Sequence, residues 1–308
     1  MKKIQLMCLI LLVMMMFSVI VGCSGPTQKA AGSNSTTDFE PVTWKLAHIR
    51  PEGSRTHETA KWFADEVRKQ TDGKVNIEIY PARSLGDYEV VQECISMGEI
   101  EMALQGAGQN VDKSLILPTV PYIVSDWDQA IKYTDMETGI LANFTRDRLA
   151  AQNITLLGQY PMYFACIASA KEIPDYQNPT APRKLKARVP TSKAFDLLGT
   201  TLGFISTPLP SSENFTSLQT GIVDTVIGGG AEYYWGELKD VTKYLLPCNT
   251  HFETQWLMIN TDVFGSLPTE YQEVIRSLAQ ELQEKGFEVA MAEEQSYYDK
   301  FREIGVTV

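Results

Sequence analysis

The segment Arg183-Lys184-Leu185-Lys186-Ala187-Arg188-Val189-Pro190 sets four positive charges within six residues of a chain whose formal net charge is −11. Leu185, Ala187 and Val189 alternate with the charges, which predicts a short strand that Pro190 terminates. Arg188 then falls near the carboxyl end of that strand, where a guanidinium offers two parallel donors to a carboxylate. The competing reading is a solvated basic loop. It suits Arg183, Lys184 and Lys186 well, and on the residues alone the two readings of Arg188 stand level. Gly228-Gly229-Gly230 is the second candidate. It follows an apolar run from Ile222 to Ile227 and precedes the helix expected from Ala231. Missing side chains let a ligand approach the backbone, and a helix start aims N–H groups at an anion. An ordinary strand-to-helix turn explains the same glycines equally well.

Other chemistry is scarce. His48, His57 and His251 are the chain's three histidines. No pair has helical ligand spacing, and Lys61 stands where a zinc-protease helix would place its second histidine, so no metal is expected. A Gly-x-Ser-x-Gly elbow is missing. Gly106-Ala107-Gly108 lacks the third glycine of a dinucleotide fingerprint, and no phosphate loop occurs, so no cofactor is expected. An acid–base pair could hide among 38 acidic residues, yet the lack of motifs weighs against an enzyme.

The elements that would position these residues follow from periodicity. Val42, Trp44 and Leu46 alternate as a strand, and Ala60, Phe63, Ala64 and Val67 keep helical spacing up to the stop at Asp72-Gly73. Val75, Ile77 and Ile79 alternate again. Asp87 can cap a helix ending at Gly98, before a strand over residues 100–104. Later strands are expected at 154–158, 185–189, 203–207, 222–227 and 253–260. Helices are expected at 126–150, 192–198, 212–220, 231–240 and from Pro268 to about Phe301. Alternation of this kind predicts α/β architecture with parallel strands flanked by helices, and ligands held beyond the carboxyl ends of the strands. The length of 308 residues favours two domains, and 44% hydrophobic with 21% charged residues is the composition of a folded protein. An acidic chain has no basic stripe for phosphates, so no nucleic-acid partner is expected.

The amino-terminal region reads as an export signal. Lys2 and Lys3 precede an apolar run from Ile4 to Ile20, and Val21-Gly22-Cys23 ends it with small residues before a cysteine. That ending resembles a bacterial lipobox, with residues 1–22 removed, Cys23 lipid-modified and residues 23–40 a flexible tether. A plain transmembrane anchor is the competing reading. Cys94, Cys166 and Cys248 remain, an odd number without paired spacing, and free thiols are the simpler expectation.

Several stretches in order resemble the substrate-binding proteins of TRAP transporters, the DctP-like family. They are Ala47-His48, Tyr80-Pro81-Ala82-Arg83-Ser84-Leu85-Gly86, Gly98-Glu99-Ile100-Glu101-Met102-Ala103 and Val120-Pro121-Tyr122-Ile123. Leu185 to Pro190, Leu218-Gln219-Thr220-Gly221-Ile222-Val223-Asp224, Lys243-Tyr244-Leu245 and Ser266-Leu267-Pro268 complete the series. No single piece is decisive, but the ordered set is specific and spans nearly all of the chain after the tether.

The resemblance implies a two-domain periplasmic-binding-protein-like α/β fold, with mixed sheets flanked by helices and a long C-terminal helix spanning both domains. Residues 41–160 with about 249–282 would form one domain, and 161–248 with about 283–308 the other. It implies an extracytoplasmic receptor without catalysis that captures a small organic acid and delivers it to TRAP permease subunits in the membrane. With the lipobox reading, the receptor is expected to be lipid-anchored, and a monomer is expected. A receptor of an ABC importer is the nearest alternative, and a secreted enzyme the more distant one. The family's carboxylate-pairing arginine falls on Arg188. Around it the ligand-binding set is expected to include Gly228, Gly229, Gln105, Tyr163, Thr191, Ser211, Glu232 and Trp256. Two departures matter. Gly228 stands where many members have asparagine, and no arginine occurs between Tyr160 and Cys166, where some have a second one. A sialic-acid type of site is therefore disfavoured, and the aromatic residues suggest a ligand with an apolar or aromatic body.

Overall fold

A computed structural model describes residues 39–308. The expected signal segment, Cys23 and most of the tether lie outside the described residues. Two five-stranded sheets organise the rest. In the first, β1 (Val42–Ala47) pairs in parallel with β2 (Val75–Tyr80) and β3 (Met102–Gln105). Antiparallel to these runs β10 (Phe252–Asn260), bonded to β3 on one side and to β4 (Ile154–Phe164) on the other. The second sheet repeats the pattern. Its β6 (Lys186–Val189) is parallel to β7 (Ile205–Pro208) and β8 (Thr225–Gly229), and β5 (Cys166–Ser169) lies antiparallel between β8 and β9 (Tyr244–Leu246). The sheets are thus mixed, whereas alternation alone predicts parallel strands. A returning antiparallel strand carries no separate periodicity signal.

Only Ala165 separates β4 in the first sheet from β5 in the second. The chain returns through residues 247–251 between β9 and β10. These two crossings bond to each other, Ala165 N–H donating to His251 O at 2.9 Å and Thr250 N–H to Ala165 O at 3.0 Å.

Helices cover the sheets for local reasons. Helix α1 (Arg55–Gln70) is capped by Ser54 and buries the stripe Thr56, Ala60, Phe63, Ala64 and Val67. Asp87 caps α2 (Tyr88–Met97), which stops at Gly98 in the left-handed region, φ 78°. The long terminal helix, α9 (Thr269–Glu303), starts after Pro268 as expected. It packs against β4 and α1 of the first sheet and against α7 (Ala231–Glu237) beside the second. Gly286 permits this closeness, since a Cβ there would lie 2.7 Å from Tyr160 Cδ2. No described helix is long and apolar enough to cross a membrane.

Three expectations are corrected. The single helix over 126–150 is two, α3 (Trp127–Thr134) and α4 (Ile140–Ala150). The Asp135 carboxylate accepts the N–H groups of Glu137 and Thr138, at 3.1 and 2.7 Å, and this local turn outcompetes helical bonding. Strands β5 and β9 were not expected; one continues an apolar run without alternation, and the other is three residues long. Arg183 is not solvated. Buried over Phe204, it donates to the carbonyls of Asn178 and Ala181. Lys184 and Lys186 are exposed, and Cys94, Cys166 and Cys248 are free thiols, as expected.

Candidate functional site

A cleft of about 310 Å³ lies between the two sheets, beyond the carboxyl ends of β1, β6 and β8. That volume suits a small metabolite. Arg188 projects into it from β6 with 3% of its surface exposed. Its Nε donates to Leu209 O at 2.9 Å and its Nη1 to Ile227 O at 3.4 Å. Burial pulls its pKa below the ordinary arginine value, and Tyr233, Tyr234, Tyr88 and Glu237 oppose that shift. Its charge persists, because an arginine scarcely deprotonates in a protein. Among the described residues, no carboxylate lies within ion-pair distance of it. A bulge at Gly228, one residue before the end of β8, makes room for this guanidinium. Gly228 has φ 109°, and a Cβ there would sit 2.7 Å from Pro190 Cγ and 3.5 Å from Arg188 Nη1.

Arg50 is a second buried guanidinium on the cleft wall, 6% exposed, in the turn after β1. Its Nη2 donates to Tyr163 Oη at 3.1 Å, and its Cζ lies 4.3 Å from the centre of the Tyr233 ring. Burial works against its charge, yet Tyr163, Glu232, Tyr233 and Glu237 together hold its pKa above the usual value. Asn214, at the start of α6 (Asn214–Gln219), fixes the far edge of Tyr233 by donating to its hydroxyl at 3.0 Å. From the same first sheet as Arg50, β10 supplies Glu253 and Trp256, while His251 stands edge-on to Phe195.

Of the expected residues, Arg188, Gly228, Tyr163, Thr191, Ser211 and Trp256 line this cleft. Ser211 accepts from Arg83 Nη2 at 3.1 Å. The other three stand outside its lining. Gln105 lies under the wall and donates to Tyr88 O at 2.6 Å. Gly229 gives its N–H to the Tyr234 hydroxyl, and Glu232 faces a small gap beneath α9 instead. Sequence reasoning missed Arg50, Tyr88, Asn214, Tyr233, His251 and Glu253. One signal was readable: Arg50-Pro51 repeats, after the first strand, the pattern of an arginine just ahead of a proline at a strand end.

The profile of the bacterial extracellular solute-binding proteins, family 7 (DctP), matches residues 46–308. The chain belongs to this family. It is 24% identical to the C4-dicarboxylate-binding periplasmic protein DctP of Rhodobacter capsulatus, over 84% of this chain and 73% of that one. A TRAP periplasmic solute-binding protein from Haemophilus influenzae, crystallised with bound L-gulonate, is 25% identical. The likeness covers 86% of each chain with a TM-score of 0.77. An extracytoplasmic solute receptor of Bordetella pertussis that binds pyroglutamic acid shares the fold, at 19% identity and a TM-score of 0.77 over 87% of both chains. This DctP-family protein is therefore a TRAP transporter solute receptor with the two-domain α/β fold, and not an enzyme. Such receptors act outside the cytoplasm and work with membrane permease subunits, which sets aside the ABC-importer and enzyme alternatives.

Proposed function

We propose that this receptor captures a small organic acid by pairing its carboxylate with Arg188, between lobes that close around it. One observation carries the reading: a buried guanidinium on the cleft wall bonds only backbone carbonyls and meets no acidic side chain among the described residues. Keeping a charge out of water is costly unless a counter-charge arrives, and a ligand carboxylate would supply one. The dicarboxylate and L-gulonate named for its relatives are acids too, which supports the same class. Phe195, Tyr88, Tyr233 and Trp256 favour an apolar or aromatic ligand body. The lobes are proposed as residues 41–160 with about 249–282, and 161–248 with about 283–308. Gly229, Gln105 and Glu232 would act behind the wall.

The receptor is proposed to be a monomer held to the cell membrane by lipid on Cys23, after removal of residues 1–22. Cys23→Ser should release it from membranes or block its maturation; mature, lipid-free protein retained in membranes would refute the anchor. A thermal-shift screen against a carboxylic-acid library tests the ligand class. A ligand at a hundred times its dissociation constant should stabilise the fold by about 2.7 kcal/mol. A library in which no acid raises the melting temperature would contradict the reading.

A further inference from the structure

The cleft also holds negative charge that a purely anionic ligand does not explain. Asp87, Glu89 and Glu253 share its lining with Arg50 and Arg188. Two of these acids belong to the start of α2. Asp87 caps α2 and lies 3.8 Å from Arg83 Nε, and Glu89 stands in the first turn of α2, where the helix dipole favours its negative charge. Glu253 differs. Its side chain is 21% exposed, and among the described residues no hydrogen bond reaches its carboxylate. Its ion-pair contact is His251 Nε2 at 3.5 Å, a partner with charge only when protonated.

Position gives this carboxylate meaning. Glu253 belongs to β10 of the first sheet and Arg188 to β6 of the second, so the two face the same cavity from opposite walls. Tyr88 lies in the field of both. Burial first, and then Glu89, Asp87 and Glu253, raise its pKa above the ordinary phenol value, while Arg188 lowers it. A diacid spanning the cleft would bring its second carboxylate to the wall that holds Asp87, Glu89 and Glu253, where Arg50, already set against Tyr163 and Tyr233, offsets only part of the like-charge repulsion.

We infer that the ligand is a zwitterion, its carboxylate on Arg188 and a cationic amine or amidine nitrogen on Glu253. The inference rests on the receptor reading above and narrows it to amino-acid-like solutes. Each charge would satisfy a different wall, so a ligand bearing both would bridge the two sheets.

Calorimetry on the intact receptor with matched probes tests it: γ-aminobutyrate against γ-hydroxybutyrate and glutarate, and phenylalanine against phenyllactate. A charge-assisted hydrogen bond is worth about 1.5–3 kcal/mol, so the amine should bind about ten- to a hundredfold tighter than its hydroxyl twin, with the diacid weakest. Glu253→Gln keeps the side chain's shape. It should reduce that preference to within about threefold while leaving hydroxy-acid affinity and the melting temperature near wild type. A hydroxy acid or diacid binding as tightly as the amine would overturn the inference but leave the carboxylate receptor standing. Equal weakening of every probe by Glu253→Gln would also overturn it, since the residue would then be structural. Failure of all five probes to bind would overturn the inference, while the carboxylic-acid screen above decides the receptor reading.

Discussion

Arg188 and Lys184 come from one basic segment, yet burial separates them: one is 3% exposed on the cleft wall, the other sits in solvent. Substituting Arg188 with alanine would strand a bound carboxylate, at a cost of about 2–5 kcal/mol, or about 30- to 4,000-fold in affinity. Arg188→Lys should fail as well, because an ammonium lacks the planar two-donor fork. Lys184→Ala and Lys186→Ala should leave affinity unchanged. Calorimetry with whichever acid the library identifies separates these cases, and tight binding by Arg188→Ala would remove Arg188 from the site. His48 supports a second prediction. It is 1% exposed, its Nε2 lies 3.2 Å from His57 Nδ1, and burial, then His57 and Arg50, lower its pKa to about 4. The folded pKa lies below the ordinary 6.5, so the folded state favours the neutral ring. That stabilisation is complete above pH 6.5 and is lost as pH falls towards 4. The shift corresponds to about 3 kcal/mol over that window. Urea unfolding at neutral and mildly acidic pH should show His48→Gln losing less stability than wild type; equal losses would mean that His48 titrates normally.

Helices and strands act here through their ends. β6 stops at Val189, β8 bulges at Gly228 near its end, and the two ends meet where Pro190 packs against Gly228. A methyl group at Gly228 has no room and would impose a left-handed backbone on an L-residue. Gly228→Ala should therefore destabilise by about 1–3 kcal/mol and displace the Pro190 side of the cleft, weakening ligand binding as well. Unfolding midpoints and affinity measured on the same sample check both parts. A variant with wild-type stability would show that the turn relaxes freely. The split between α3 and α4 arises in the same way, because one carboxylate at Asp135 redirects the N–H groups of the next turn.

Across the whole molecule, the two sheets share their order and their one antiparallel insertion, and few chain passages connect them. Ala165 and residues 247–251 run side by side, bonded to each other, while α9 touches both halves. Bending is concentrated at such a narrow crossing, so ligand held by both walls should draw them together. Small-angle scattering at saturating ligand should give a smaller radius of gyration than without ligand. An unchanged radius would mean that the pocket is preformed.

Periodicity located most elements of this protein, because burying one face of a helix or strand leaves a repeat that is visible in the chain. The caps at Asp87 and Gly98 and the long helix after Pro268 were legible because their signals are local. The strand end at Arg188 was legible for the same reason, a proline beside it, but those residues left cleft and solvent level, and only the resemblance favoured the cleft. What lies across from Arg188 was decided only by tertiary structure. Tyr88 and Glu253 are far apart in sequence, and each is ordinary in its own segment. The hydrogen bond from Arg50 to Tyr163 spans 113 residues. Burial of Arg183 over Phe204, and exposure of the lysines beside it, likewise follow from packing that no local pattern encodes. Local backbone preferences write themselves into neighbouring residues, whereas a cleft is assembled from strand ends that the chain reaches at widely separated times.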